Sequence, residues 1–398
     1  MHIRKLLHKV FVPASMNIDK RLHRSLLEAA LTLTDCRQLS IAGIGRCLQS
    51  SIAVKHAIKR IDRLFGNPRL HNKRHAYYQL MTNMLIGSNL HPVILIDWSG
   101  LTRCGEYHFL RASVAVGGRA LVIWEGTYRE RDYTSQKTHR RFIKELRVLL
   151  PPGCRPIIVT DAGFRCTWFK LIEKQGWDFV GRVRNMTQCR ETGQKQWVRV
   201  KAYYAKATRT ARLLFSGTLA KANPVEGHFY LFRGEKQHRH RKNLRGKQLQ
   251  SGASLKHSKR EKEPWFLISS LPTESYSPKQ ITSLYKKRMQ IEEAFRDLKN
   301  TRNGFSLRHC RSFDSERLNV ALLIAAIAML LLWIVGVLAK KQAHHVLFQA
   351  NTVRHRNVLS TFTIGWQSLK RRQQFYVTDF FDALENIKMT AQQTYVNA

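Results

Sequence analysis

Acidic residues are scarce in this chain. Asp and Glu together number 27 of 398 residues, against 68 Lys and Arg, and the formal net charge is +41. A folded chain this basic repels itself unless a polyanion neutralises it. Nucleic acid fits best, because Lys and Arg that neutralise phosphates release counterions and so drive binding. A ribosome-associated or generally adhesive protein is the alternative that charge alone leaves open. Cysteine is also sparse: seven residues, an odd number, with no C-x-x-C pair. That argues against a disulfide framework and against a zinc site, and it fits a reducing cytosol. The opening MHIRKLLHKV is basic and lacks the apolar stretch of a secretory signal. Long apolar runs are rare too. The one present, residues 320–339, is long enough to span a bilayer. A helix buried on all sides in a large core fits it equally by composition. The second reading is favoured, because the run stands alone in a polar, charged chain. The hydrophobic content of 43% allows a sizeable core and excludes disorder of the whole chain.

Regular structure is readable in blocks. Residues 1–88 read as helical and basic, with Asn17 as the cap of a helix through LHRSLLEAALTL. LSIAGIGRCL and IAVKHAIKRIDRLFG then outline a helix-turn-helix. On its second helix, Val54, Ile58, Ile61 and Phe65 make an apolar stripe, and Lys55, Lys59 and Arg63 a basic one. The basic stripe suits a DNA-facing helix, or else the solvated face of an ordinary bundle. Residues 89–182 read as three strands, a helix, a strand, a helix and a strand, with a hairpin at Gly117-Gly118. This predicts a mixed α/β sheet. Residues 183–265 read as a basic, β-rich insertion whose loop, 236–260, meets phosphate or stays unfolded. The histidines there, His238, His240 and His257, lie among cations that repel a metal. Residues 266–341 return to a strand and two helices, and 342–398 form a polar, basic tail.

Within so basic a chain, three acids draw notice. Asp97 follows the apolar run Val93–Ile96, and Asp161 follows 157–160, so each is expected at the end of a buried strand. Two facing carboxylates repel, and a hard divalent cation relieves that repulsion. Taken singly, each is equally a turn residue or a helix cap. The third is Glu292, on a helix expected from about Pro278 to Lys299. At helical periodicity Tyr285, Arg288, Glu292 and Lys299 lie within about 60° of one another, beside the apolar stripe Leu284, Ile291, Phe295 and Leu298. Glu293 points elsewhere and reads as solvated. An amphipathic helix with an Arg288–Glu292 pair is the plainer account of the same spacing. Two acids at strand ends and one on a later helix suit two-metal phosphoryl transfer.

The run Y-x2-R-x3-E-x6-K, here Tyr285, Arg288, Glu292 and Lys299, resembles the signature of the insertion sequence four family of bacterial DDE transposases. Asp97 in LIDWS and Asp161 in VTDAGF look like that family's two catalytic aspartates. KRIDRLFGN, LRASVAV, EPWFLISSLP, KRMQIEEAFRDLK and QANTVRHRNVLST are similar to its insertion sequence ten branch. The resemblance implies a ribonuclease H-like core with a β-rich insertion, flanked by an N-terminal helical DNA-binding domain and a C-terminal helical region for DNA contact or dimerisation. It implies two Mg²⁺ ions (Mn²⁺ as a substitute) on Asp97, Asp161 and Glu292. It implies binding of terminal inverted repeats by a synaptic homodimer, and cut-and-paste transposition through a hairpin intermediate. It places Tyr285, Arg288 and Lys299 on DNA near the cleaved phosphate, and the protein in the cytoplasm with the nucleoid. Trp265 resembles the tryptophan on which a flipped base stacks; a tryptophan buried at a strand start is the other reading.

Overall fold

The computed structural model describes residues 3–15, 18–102, 105–234, 263–312, 314–350, 352–353, 356 and 358–393. Asn17 and the basic loop 236–260 lie outside them. Two compact units divide the chain: residues 1–156 with 289–396, and residues 157–288 with the last two residues.

The first unit opens on five helices: α1 (Ile3–Phe11), α2 (Lys20–Cys36), α3 (Ile41–Cys47), α4 (Val54–Phe65) and α5 (Pro68–Ile86). Local chemistry sets their starts. Asp19 caps α2 by accepting from the backbone N–H groups of Arg21 and Leu22, so the cap falls two residues beyond Asn17. Ser40 caps α3, and Asn67 with Pro68 starts α5. The helices α3 and α4 pack together in the place of the expected helix-turn-helix. On α4 the buried face is Ala57, Ile61, Leu64 and Phe65, while Val54 is exposed and Ile58 half-buried. The apolar stripe is therefore rotated from the expected one, because Ala57 and Leu64 supply the side that meets the other helices.

Three antiparallel strands follow: β1 (Val93–Gly100), β2 (Tyr107–Ala115) and β3 (Ala120–Arg129), in the order β3-β2-β1. The β2–β3 hairpin turns at Gly117 and Gly118, whose φ of 81° and 110° suit glycine. Helix α6 (Gln136–Leu149) packs on β3 and α5.

The second unit holds β4 (Ile157–Thr160), α7 (Cys166–Glu173), β5 (Asp178–Val183), β6 (Gln188–Glu191), β7 (Val198–Arg199), β8 (Arg212–Leu219), β9 (Val225–Phe232), β10 (Trp265–Ser269) and α8 (Pro278–Lys287). Strand β4 runs parallel to β5; the rest pair antiparallel in the order β5-β10-β9-β8-β6-β7. The β-rich stretch thus joins one sheet with β5, because β10 pairs with β5 on one edge and β9 on the other. Mixed parallel and antiparallel strands with flanking helices make this an α/β protein, as expected. Helix α8 starts with a Ser277–Gln280 capping box and Pro278.

The chain returns to the first unit with α9 (Met289–Lys299), α10 (Ser315–Lys341), α11 (Thr361–Lys370) and α12 (Val377–Gln393). One helix was expected over 278–299; two are present, separated at Arg288. Helix α10 contains the apolar run. Of its most apolar window, 94% is buried within the protein. It packs against α2, α4, α5, β3, α11 and α12, so it is a core helix rather than a lone span. Its one buried amide, Asn319, accepts the Thr127 backbone N–H at 2.9 Å and so satisfies the group. Helices α10 and α11 meet backbone to backbone. A Cβ on Gly336 would stand 2.0 Å from the Thr361 carbonyl oxygen, and one on Gly365 1.9 Å from that of Leu332.

Candidate active site

Strand β1 does not end at Asp97. Its first four residues are buried, and burial gives way at Asp97, after which three more residues continue the ladder. Trp98-Ser99-Gly100 lacks the apolar character that marks a strand in sequence, yet it pairs with β2. Asp97 lies opposite Arg111, and Ser99 opposite Phe109, so all four side chains leave one face of the sheet. The Asp97 carboxylate accepts the Trp98 backbone N–H at 2.8 Å.

Helix α9 covers that same face. Phe295 meets Phe109 edge to face at 5.3 Å, and Lys299 Nζ donates to Ser99 Oγ at 2.6 Å. Glu292 lies about two helical turns before Lys299, so it shares this side of α9. It stands in the first turn, where the helix dipole favours a carboxylate. The opposite flank of α9 is tied down by the β2–β3 hairpin. Arg119 reaches Asp297 at 2.6 Å and Glu293 at 3.8 Å, and Arg296 pairs with Glu293 at 2.7 Å. Glu293 is therefore an ion-paired anchor rather than the solvated residue expected, because Arg119 folds back from the hairpin. Gln290 accepts the Gly118 backbone N–H on the same flank. These contacts fix the rotation of α9 that presents Glu292 and Lys299.

Burial lowers the Lys299 pKa to about 8, helped by the cations Arg308 and Arg111; the Asp97 carboxylate opposes the shift. Beside Lys299 opens a cavity of about 650 Å³ lined by Gly100, Thr102, Asn300, Thr301 and Arg308. Two cations and neutral polar groups line it, a lining suited to phosphate.

In the second unit Asp161 follows directly on β4, as expected. Its Oδ1 accepts the Gly163 N–H at 2.8 Å, which closes a tight turn, and the carboxylate stays half-buried. A separate cluster forms on α8 and β10. Tyr285 is buried, and its ring meets Trp265 edge to face at 4.9 Å. The Arg288 guanidinium lies 5.7 Å from the Tyr285 ring centre. Trp265 is half-buried at the first residue of β10. Arg182, on β5, also belongs here: its guanidinium donates to the carbonyls of Glu263 and Pro264 at 3.1 and 3.2 Å and faces the Tyr285 hydroxyl. Burial lowers its pKa. A single arginine inside WDFVGRVR gave no sign of this in the sequence. The structure thus brings together Tyr285, Arg288 and Trp265 in one unit, and Asp97 and Lys299 in the other, with Glu292 on the Lys299 side of α9. Lys55, Lys59 and Arg63 are exposed along α4, with Lys59 paired to Asp62 at 3.0 Å.

Among the described residues, no three His, Cys, Asp or Glu side chains converge closely enough to hold a metal ion. Asp97, Asp161 and Glu292 are each half-buried carboxylates, and each offers the oxygen that a hard cation takes.

A family model described as the transposase DDE domain matches residues 88–331, a stretch that contains all three acids. No curated protein matches the chain. The match covers more than half of the chain, and the chain therefore belongs to the DDE transposase family.

Proposed function

We propose that this transposase belongs to the insertion sequence four family, near the transposase of insertion sequence ten, and performs cut-and-paste transposition. It binds the terminal inverted repeats of its element, cleaves both strands by Mg²⁺-dependent hydrolysis, and joins the 3′-OH ends to target DNA. The observation that supports this reading is the Lys299–Ser99 hydrogen bond, which seats α9, the helix of Glu292 and Lys299, on the sheet face of Asp97, inside the matched domain.

Asp97, Asp161 and Glu292 would hold two divalent cations, which supply activation of the attacking oxygen and stabilisation of the leaving oxygen. Lys299 and Arg308 hold the phosphate backbone in the adjoining cavity. Arg288 and Tyr285 contact the strand near the cleaved phosphate. Trp265 receives the base that turns out of the stack when the freed 3′-OH attacks the opposite strand to form a hairpin. In this reading the core is ribonuclease H-like, divided as 89–182 and 266–341 around the insertion 183–265. Residues 1–88 bind DNA through Lys55, Lys59 and Arg63, and residues 342–398 serve DNA contact or dimerisation. Two copies act in the synaptic complex, in the cytoplasm at the nucleoid.

The test is strand cleavage on DNA carrying the element's terminal repeat, with Mg²⁺. Asp97→Ala, Asp161→Ala and Glu292→Ala should each abolish cleavage while end binding persists; full cleavage by any of them removes that residue from the site. The charge of +41 supports a second reading, a DNA-binding protein without catalysis. It predicts salt-sensitive binding and carboxylate variants that are fully active in the cell.

A further inference from the structure

The sheet face that carries Asp97 also carries a buried ion pair. Asp97, Arg111 and Glu125 stand in register across β1, β2 and β3. Neither Arg111 nor Glu125 reaches solvent. Arg111 Nε donates to Glu125 Oε2 at 2.8 Å, and Nη2 stands 2.6 Å from the same oxygen without hydrogen-bond geometry. The Tyr78 hydroxyl donates to Glu125 Oε1 at 3.0 Å. The guanidinium lies over Phe109 and Phe295 at 5.1 and 5.4 Å, the same two rings that flank Lys299 Nζ. Among the described residues, Arg111 Nη1 makes no hydrogen bond.

A cation in this position competes for Asp97. Residues opposite one another on antiparallel strands have Cβ atoms about 5 Å apart, within easy reach of an arginine. In a dry interior the attraction between Arg111 and a neighbouring carboxylate is large. Two carboxylates flank it, Asp97 on one strand and Glu125 on the other. The guanidinium turns to Glu125, which Tyr78 holds in place. Stability alone gives no reason for such a pair, since apolar residues of the same volume serve as well in a core.

We propose that Glu125 is a positioning residue that withholds Arg111 from Asp97, so that Arg111 does not compete with a divalent cation for that carboxylate. The inference rests on the reading of Asp97 as a metal ligand. The two are separable by iron-mediated cutting of the full chain, without DNA. Bound Fe²⁺, kept reduced by ascorbate, reacts with added hydrogen peroxide to give hydroxyl radicals that cleave the backbone nearby; Mg²⁺ competes. The wild-type chain should be cut in β1 near Asp97. Glu125→Gln frees Arg111 to pair with Asp97 and should raise the Fe²⁺ needed for half-maximal cutting by about tenfold or more. Glu125→Asp, which keeps the charge on a shorter arm, should shift it less in the same direction. The double variant Glu125→Gln/Arg111→Met has no internal charge and should return to the wild-type requirement. If Glu125→Gln does not fold, Glu125→Asp against the double variant makes the same comparison. Wild-type cutting by the Glu125 variants, or a double variant as impaired as the single one, overturns the proposal. No cutting of the wild-type chain overturns the metal reading itself, and the inference with it.

Discussion

His139 ties the stability of the first unit to pH. It is buried on α6, and its Nε2 accepts the Trp98 indole N–H at 3.2 Å, which puts the ring proton on Nδ1. Burial lowers its pKa from 6.5 to about 4. The native state therefore holds the ring neutral, while the unfolded chain takes up a proton as pH falls through 6.5. Unfolding gains protons in that window, so stability drops as pH falls from 6.5 to about 4 and is flat in this group below it. A shift of this size corresponds to about 3 kcal/mol. That is a large share of the stability of an ordinary domain. Trp98 follows Asp97 and packs edge to face against Tyr128 and Tyr133 at 5.5 and 5.1 Å. Losing the acceptor on His139 thus loosens the strand segment that bears Asp97. The assay is urea unfolding followed by tryptophan fluorescence, for wild type and His139→Gln, across that pH range. The variant keeps an acceptor for Trp98 but cannot titrate. Its stability should fall less on acidification, so the difference between the two proteins should shrink or reverse by about 3 kcal/mol. Self-repulsion from the +41 charge acts on both alike and cancels. A difference that stays constant with pH refutes the reasoning.

Three further outcomes follow from the packing and the charges. Gly365→Ala puts a methyl group 1.9 Å from the Leu332 carbonyl oxygen, so α11 must move off α10; thermal unfolding should show a loss of about 2 kcal/mol or more. Glu293→Gln breaks the anchors to Arg119 and Arg296 but spares Glu292, so cleavage should persist at lowered stability; loss of cleavage at full stability would reassign the catalytic glutamate. Replacing Lys55, an exposed cation on α4, with Ala should weaken DNA binding evenly across sequences and reduce the slope of log affinity against log salt by about one; an unchanged slope removes α4 from the DNA interface.

The sequence conveyed element types better than element ends. A run of twenty uncharged residues announces a helix, its isolation in a charged chain favoured burial over a bilayer span, and α10 followed. The end of β1 was hidden because WSG pairs through its backbone, which leaves no apolar mark. The break at Arg288 was hidden because the apolar period continues through it and Arg288 itself keeps helical angles, φ −52° and ψ −30°. Asp97, Glu292 and Lys299 were legible as an unusual set of charges; Asp297 and Glu293 were not legible as anchors, since Arg119 comes from 178 residues away. Arg111 and Glu125 stood in plain view as lone charges in apolar strands. Only the register of the hairpin shows that they face each other and share a face with Asp97.

Helix α10 carries a consequence for the lineage rather than for the fold. Its cover comes from both ends of the chain: α2 from the beginning, α11 and α12 from the last forty residues. A copy of the gene cut short by a stop codon soon after residue 341 would still make the apolar helix, with mean hydropathy 2.9 over eighteen residues, but not α11 and α12, which cover part of it. Such a product exposes a segment that membranes and insertion machinery accept. Decay by truncation at the 3′ end should therefore yield a toxic or rapidly degraded protein, whereas point substitution at Asp97 or Glu292, under the proposed function, should yield a silent one. Surviving inactive copies should be enriched in the second kind, and expressing the 341-residue fragment beside an Asp97→Ala chain would show the difference in host growth.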